Sequence, residues 1–181
     1  MKKMILSGIL LLTLFSTVEA FDQTGKTAIG VTGGRVFPFG SNKFNDEADG
    51  SWAYGGYIRH GINPNWGIDL AATRQDYDKI CTCTRSNIVD VLGFYRFKGT
   101  EDFTPIAGLG LGVVDNGKHQ NLHLGTRARV GMEKAINENV AVGMNFDYQG
   151  VRKMPGAKKG PLPSDINTIT PKLELTWYFG K

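Results

Sequence analysis

The chain has 181 residues, 41% of them hydrophobic, with 24 Gly, 2 Cys and a formal net charge of +4. Two cysteines exclude a disulfide-stapled mini-domain, and so modest a charge gives no footing for a nucleic-acid partner. Past the N-terminus no apolar run is long enough for a spanning helix, which says nothing about membrane strands, because those are short and alternate.

At the N-terminus, Lys2 and Lys3 precede a mostly apolar run over residues 4–15, and Val18 and Ala20 occupy the two positions that define a cleavage site. This is the pattern of a secretory signal peptide, residues 1–20, cut after Ala20. Residues 21–181 then form one domain. The residue directly after the cut is Phe21 and not a cysteine, so a lipoprotein anchor is not expected.

Eight strand-like segments follow, at 26–37, 52–62, 66–77, 87–97, 103–114, 122–134, 140–149 and 167–179, with no amphipathic helix among them. Each is long enough for a tilted membrane strand, which needs roughly 9–11 residues. The connections at 61–65, 98–102 and 135–139 are short and carry Asn-Pro, Lys-Gly and Asn-Glu-Asn turn chemistry. Those at 38–51, 78–86 and 150–166 are longer and polar, and the one at 115–121 is intermediate. Short turns at one end and long loops at the other are the asymmetry of outer-membrane barrels.

Alternate side chains of a strand point to opposite faces. In the sixth segment Leu122, Leu124, Val130 and Met132 oppose His123, Arg127, Arg129 and Glu133; in the seventh Val140, Val142, Met144 and Phe146 oppose Ala141, Asn145 and Asp147. In the last, Leu173, Leu175, Trp177 and Phe179 oppose Lys172, Glu174, Thr176 and Tyr178. The first, second and fifth segments are Gly-rich and ambiguous, and the fourth mixes Asp90 and Arg96 with apolar residues. Placing the charges inward sets Arg59, Arg96, Arg127, Arg129 and Lys172 against Asp69, Asp90, Glu133, Asp147 and Glu174. Buried charges are tolerable only when paired, and these two sets balance. The expected fold is therefore an all-β, eight-stranded, antiparallel, up-and-down transmembrane β-barrel with apolar residues facing lipid and a lumen charge network within. A soluble barrel of lipocalin type reverses the two faces. Aromatic residues support the membrane reading. Trp66, Tyr95, Phe97, Phe103, Trp177 and Phe179 fall at the short-turn end, and Phe37, Trp52, Tyr54, Tyr77, Phe146 and Tyr148 at the long-loop end, as two interfacial girdles. Tyr57 and Phe94 depart from that scheme.

The motif Gly55-Gly56-Tyr57 ahead of a turn at Ile62-Asn63-Pro64-Asn65, the repeated glycines of Ala107-Gly108-Leu109-Gly110-Leu111-Gly112 and the terminal strand resemble the small outer-membrane barrels related to the transmembrane domain of outer membrane protein A, and more loosely the outer membrane protein X and adhesin barrels. The likeness spans the whole of residues 21–181. It implies a place in the cell outer membrane among lipid and lipopolysaccharide. It also implies that the barrel-assembly machinery reads the terminal strand, through Lys172, Trp177 and Phe179. Glu174 stands where those families often have Gly, and Gly180 and Lys181 extend past the last aromatic.

Other residues carry weaker suggestions. Arg152, Lys153, Lys158 and Lys159 make the last long loop basic. Such a loop is suited to lipopolysaccharide phosphates or an anionic host or surface ligand, although an ordinary solvated loop reads the same way. Cys81 and Cys83 are separated by one residue and are the expected disulfide of an oxidising compartment. Asp115, His119, His123 and Ser86 lie toward the long loops, where lipid A-modifying enzymes of the outer membrane place their chemistry. No His here is followed two residues later by Ser. The reading is of a structural or surface-interaction protein, not an enzyme, with no catalytic residues, metal or cofactor. The alternatives are a minor small-solute channel or a lipid A-modifying enzyme.

Overall fold

The computed structural model describes residues 22–39, 49–78, 85–99, 103–115, 122–153 and 165–180. Eight strands run in chain order: β1 (Thr27–Phe39), β2 (Asp49–Gly61), β3 (Trp66–Asp78), β4 (Arg85–Arg96), β5 (Thr104–Asp115), β6 (Leu122–Ala135), β7 (Val140–Lys153) and β8 (Asp165–Phe179). Each pairs antiparallel with its neighbour, and β8 returns to β1 to close the barrel. Closure leaves no edge with unpaired backbone groups, which is the condition for crossing hydrocarbon in strands.

Two of the short turns are built alike. Asn63 Oδ1 accepts from the backbone N–H of Asn65 at 2.9 Å and of Trp66 at 2.8 Å. Asn137 Oδ1 accepts from Asn139 and Val140, both at 2.9 Å. The shared Ile-Asn-x-Asn sequence lets the first Asn side chain take the place of a turn carbonyl. The second Asn then offers its own carbonyl to the neighbouring strand, Asn65 to Arg96 N–H at 2.7 Å and Asn139 to Tyr178 N–H at 2.6 Å. At the same end Gln23 is fully buried, and a Cβ on Gly61 would collide with the Gln23 carbonyl oxygen. Only glycine admits the N-terminal segment there.

The faces sort by period two. Ile29, Val31, Ile58, Leu70, Val91, Leu109, Leu111, Val130, Leu173 and Leu175 are exposed on the outside, while Arg59, Asp69, Arg96, Arg129 and Lys172 are buried inside. Trp66, Phe103, Trp177 and Phe179 are exposed near the short turns, and Phe37, Phe39, Trp52, Tyr54, Phe146 and Tyr148 near the long loops. These are the two girdles. Tyr57 and Phe94, which broke the aromatic scheme, are buried in the lumen instead.

The long-loop ends differ from expectation. The ladder between β7 and β8 continues through Val151↔Ile166 and Arg152↔Asp165, so Arg152 and Lys153 belong to β7 and not to a loop starting at residue 150. A hairpin that outlasts the membrane no longer needs an apolar outer face, and its sequence then resembles a loop. Likewise β1 runs to Phe39 and β2 begins at Asp49. Lys158 and Lys159, Cys81 and Cys83, His119 and the expected signal peptide lie outside the described residues.

Candidate functional site

The lumen brings all ten expected charges together in one connected network. Arg59 on β2 grips Asp69 on β3 with two parallel bonds, Nε to Oδ1 at 2.7 Å and Nη2 to Oδ2 at 2.9 Å. The two residues face each other in the β2–β3 register, so the pairing follows from the hairpin itself. The Arg59 guanidinium also lies over the rings of Phe94, 4.6 Å from the centroid, and Tyr57, 4.9 Å. Cation–π attraction is strong where water is excluded.

Toward the short turns, Glu133 on β6 collects a cluster. Arg96 Nη2 donates to its Oε2 at 2.7 Å and the Tyr178 hydroxyl donates to its Oε1 at 2.9 Å. Arg59 and Arg96 both donate to the Tyr178 hydroxyl. Toward the long loops, Asp147 on β7 draws three cations. Arg129 Nε is 2.9 Å away, Lys172 Nζ is 3.1 Å away, and Arg127 Nη2 is in direct contact. Arg127 reaches on to Asp90 at 2.8 Å, and Arg129 bridges to Asp69 at 3.2 Å and to Glu174 at 2.9 Å. Arg129 thus joins four strands, β3, β6, β7 and β8, through three carboxylates.

Farther along β3 and β7, Gln75 Nε2 donates to Gln149 Oε1 at 3.0 Å, a strap across the barrel. Buried Val36, Ile88, Val114 and Val151 surround this level. The lumen therefore has an ionic middle and, toward the long loops, an amide strap among both apolar side chains and buried Ser51, Ser86, His123 and Thr168. Side chains fill it, as the width of an eight-stranded barrel allows.

Sequence reasoning assigned the charges, and set Tyr178 on their face, but named no ring or amide as a partner that packs them. Tyr57, Phe94, Tyr178, Gln75 and Gln149 all share strand parity with a predicted lumen charge: Arg59, Arg96, Glu174, Asp69 and Asp147 respectively. That parity was the available signal. The glycines of β5 make room for this packing. Gly108, Gly110 and Gly112 face inward, and a Cβ on them would lie 3.0 Å from Phe94 Cβ, 3.0 Å from Leu92 Cδ1 and 2.5 Å from Asp90 Cβ. They receive the bulk of β4.

Of the terminal-strand residues, Lys172 faces the lumen while Trp177 and Phe179 are exposed outside. Arg152 is exposed at the end of β7. Of the residues considered for acyl chemistry, Ser86 and His123 are buried inside, Asp115 pairs in register with outward-facing Asn87 and Leu122, and His119 lies outside the described residues.

A family model described as the outer membrane protein beta-barrel domain matches residues 8–179. Among solved structures, the chain is similar to Neisserial surface protein A, with TM-score 0.63 at 14% identity over 86% of this chain and 98% of that one. It is similar to the outer membrane protein OprG of Pseudomonas aeruginosa, with TM-score 0.55 at 14% identity over 91% and 100%. The N-terminal barrel domain of Pseudomonas aeruginosa OprF aligns with TM-score 0.52 at 16% identity over 86% and 98%. These likenesses speak to the fold. No curated protein matches.

Proposed function

Because the chain belongs to the outer membrane protein β-barrel family, we propose that it is a structural or surface-interaction protein of that membrane, working through its exterior and long loops while its lumen stays shut. The observation that carries this is the joining of five cations and five carboxylates into one buried network, with Arg129 spanning Asp69, Asp147 and Glu174. A conducting path requires water and mobile ions along the axis. Here paired charges, rings and amides occupy the middle of such a path, among smaller buried side chains such as Thr32, Thr73 and Thr176.

On this reading a signal peptide, residues 1–20, directs export, and the assembly machinery recognises Lys172, Trp177 and Phe179. Lipopolysaccharide and an anionic host or surface ligand are the partners of the loop end, and no catalytic step or cofactor is involved. Planar-bilayer recording of the purified barrel tests the closed lumen. The expected trace is silent, and stable ion-selective openings overturn the proposal. The acyl pattern of lipid A, compared by mass spectrometry in cells with and without the protein, is expected to be unchanged; an altered pattern restores the enzyme reading.

A further inference from the structure

The outer rim at the long-loop end carries charges that the lumen does not use. Arg35 on β1 stands opposite Trp52 on β2, Trp52 opposite Asp76 on β3, and Asp76 opposite Arg85 on β4. Two residues below Asp76, Arg74 stands opposite Tyr54. All six residues point away from the lumen. Arg35 and Arg85 are three strand spacings apart, about 14 Å, with Arg74 between them and one pleat lower.

Asp76 organises this patch. Arg74 Nε donates to Asp76 Oδ1 at 3.1 Å, Arg85 Nε lies 3.6 Å from the same oxygen, and the Tyr54 hydroxyl donates to Oδ2 at 3.2 Å. Arg35 lies over the Phe37 ring at 5.7 Å. Two guanidiniums thus share one carboxylate while the third stands along the same rim, with Asp115 bordering the patch beyond Asn87. Exposed Trp52 and Tyr54 mark the headgroup level, so these arginines meet lipid headgroups and not acyl tails. The opposite rim is different. Its cations among the described residues are Lys26, Lys98 and Lys134, with Lys134 Nζ 5.3 Å from the Phe103 ring centroid. Lysine is a point charge that snorkels; arginine offers a planar fork that matches phosphate. The two rims are chemically sided.

We propose that the Arg35–Arg74–Arg85 patch around Trp52 and Tyr54 binds the phosphate groups of a phosphorylated glycolipid in the outer leaflet. Asp76 holds two of the guanidiniums by Nε and leaves their outer edges toward the headgroup. This deepens the surface-interaction reading and rests on it only for the long loops facing outward.

The test is native mass spectrometry of the folded barrel released from detergent micelles containing equal amounts of bisphosphorylated and dephosphorylated lipid A. Charge-assisted hydrogen bonds to phosphate predict at least a roughly tenfold preference for the phosphorylated form. The triple variant Arg35→Gln, Arg74→Gln, Arg85→Gln loses that preference, the corresponding triple Lys variant keeps part of it, and inorganic phosphate at the same phosphate concentration does not displace the lipid. Heat-modifiable gel mobility reports whether each variant is folded; if the triple variant is not, Arg85→Gln alone reads the same preference. Equal retention of both lipids, an unchanged preference in the Gln variant, or displacement by inorganic phosphate overturns the proposal. Conductance is recorded separately. A silent barrel that ignores phosphate removes the patch and leaves the closed lumen standing.

Discussion

Asp147 is the most consequential single carboxylate of the lumen, and replacing it with Asn tests the network directly. Arg127 retains Asp90 at 2.8 Å, and Arg129 retains Asp69 at 3.2 Å and Glu174 at 2.9 Å. Lys172 differs, since Asp147 at 3.1 Å is its carboxylate partner among the described residues. The amide of Asp147→Asn keeps the volume but removes the charge, so the change strands a buried ammonium. Breaking a buried pair from one side costs about 3–5 kcal/mol. Removing the stranded cation as well, in Asp147→Asn with Lys172→Met, takes away the cause. The double variant is therefore expected to be about 1–3 kcal/mol more stable than the sum of the two single losses, the range of coupling between groups in contact. Urea unfolding of the barrel in phospholipid vesicles, followed by Trp emission, measures all three. A loss under about 1 kcal/mol for Asp147→Asn, or strict additivity in the double variant, refutes the claim that the lumen cations depend on their partners.

Three further substitutions probe packing and the membrane face by the same unfolding measurement. A Cβ at Gly30 would collide with the Tyr57 ring at Cζ, while one at Gly33 meets nothing within 4 Å. Gly30→Ala should thus destabilise by about 1–3 kcal/mol through overpacking, whereas Gly33→Ala should be neutral or stabilise by about 0.5–1 kcal/mol; equal effects would show that Tyr57 does not lie across β1. Leu109 is 75% exposed in the middle of β5, and Leu109→Arg should cost about 2–4 kcal/mol at the bilayer midplane. A neutral result there would mean that this face meets water.

How much was legible depended on the strand. β6, β7 and β8 alternate without interruption, so Leu124 and Leu175 declared the outside and Arg127 and Lys172 the inside from residue order alone. β5 was silent because its inward positions 108, 110 and 112 are glycines, and glycine carries no polarity to read. β4 misled for the complementary reason. Its inward face holds Ile88, Leu92 and Phe94 beside Asp90 and Arg96, which looks mixed when judged alone. Taken with β5 the two make sense, since the space vacated by each glycine is filled from the strand next to it. Tyr57 follows the same rule against Gly30, and Phe94 also against Gly67, where a Cβ would collide with Phe94 Cζ. The lumen of a narrow barrel is a volume constraint shared by neighbours, so its packing is encoded in pairs of strands and disappears when strands are read singly. Charge sign survives that single-strand reading because every lumen charge needs a partner wherever it comes from. That is why the ten ionic residues could be set inward as a balanced group, while the contacts that the rings and amides make with them could not be read from residue order.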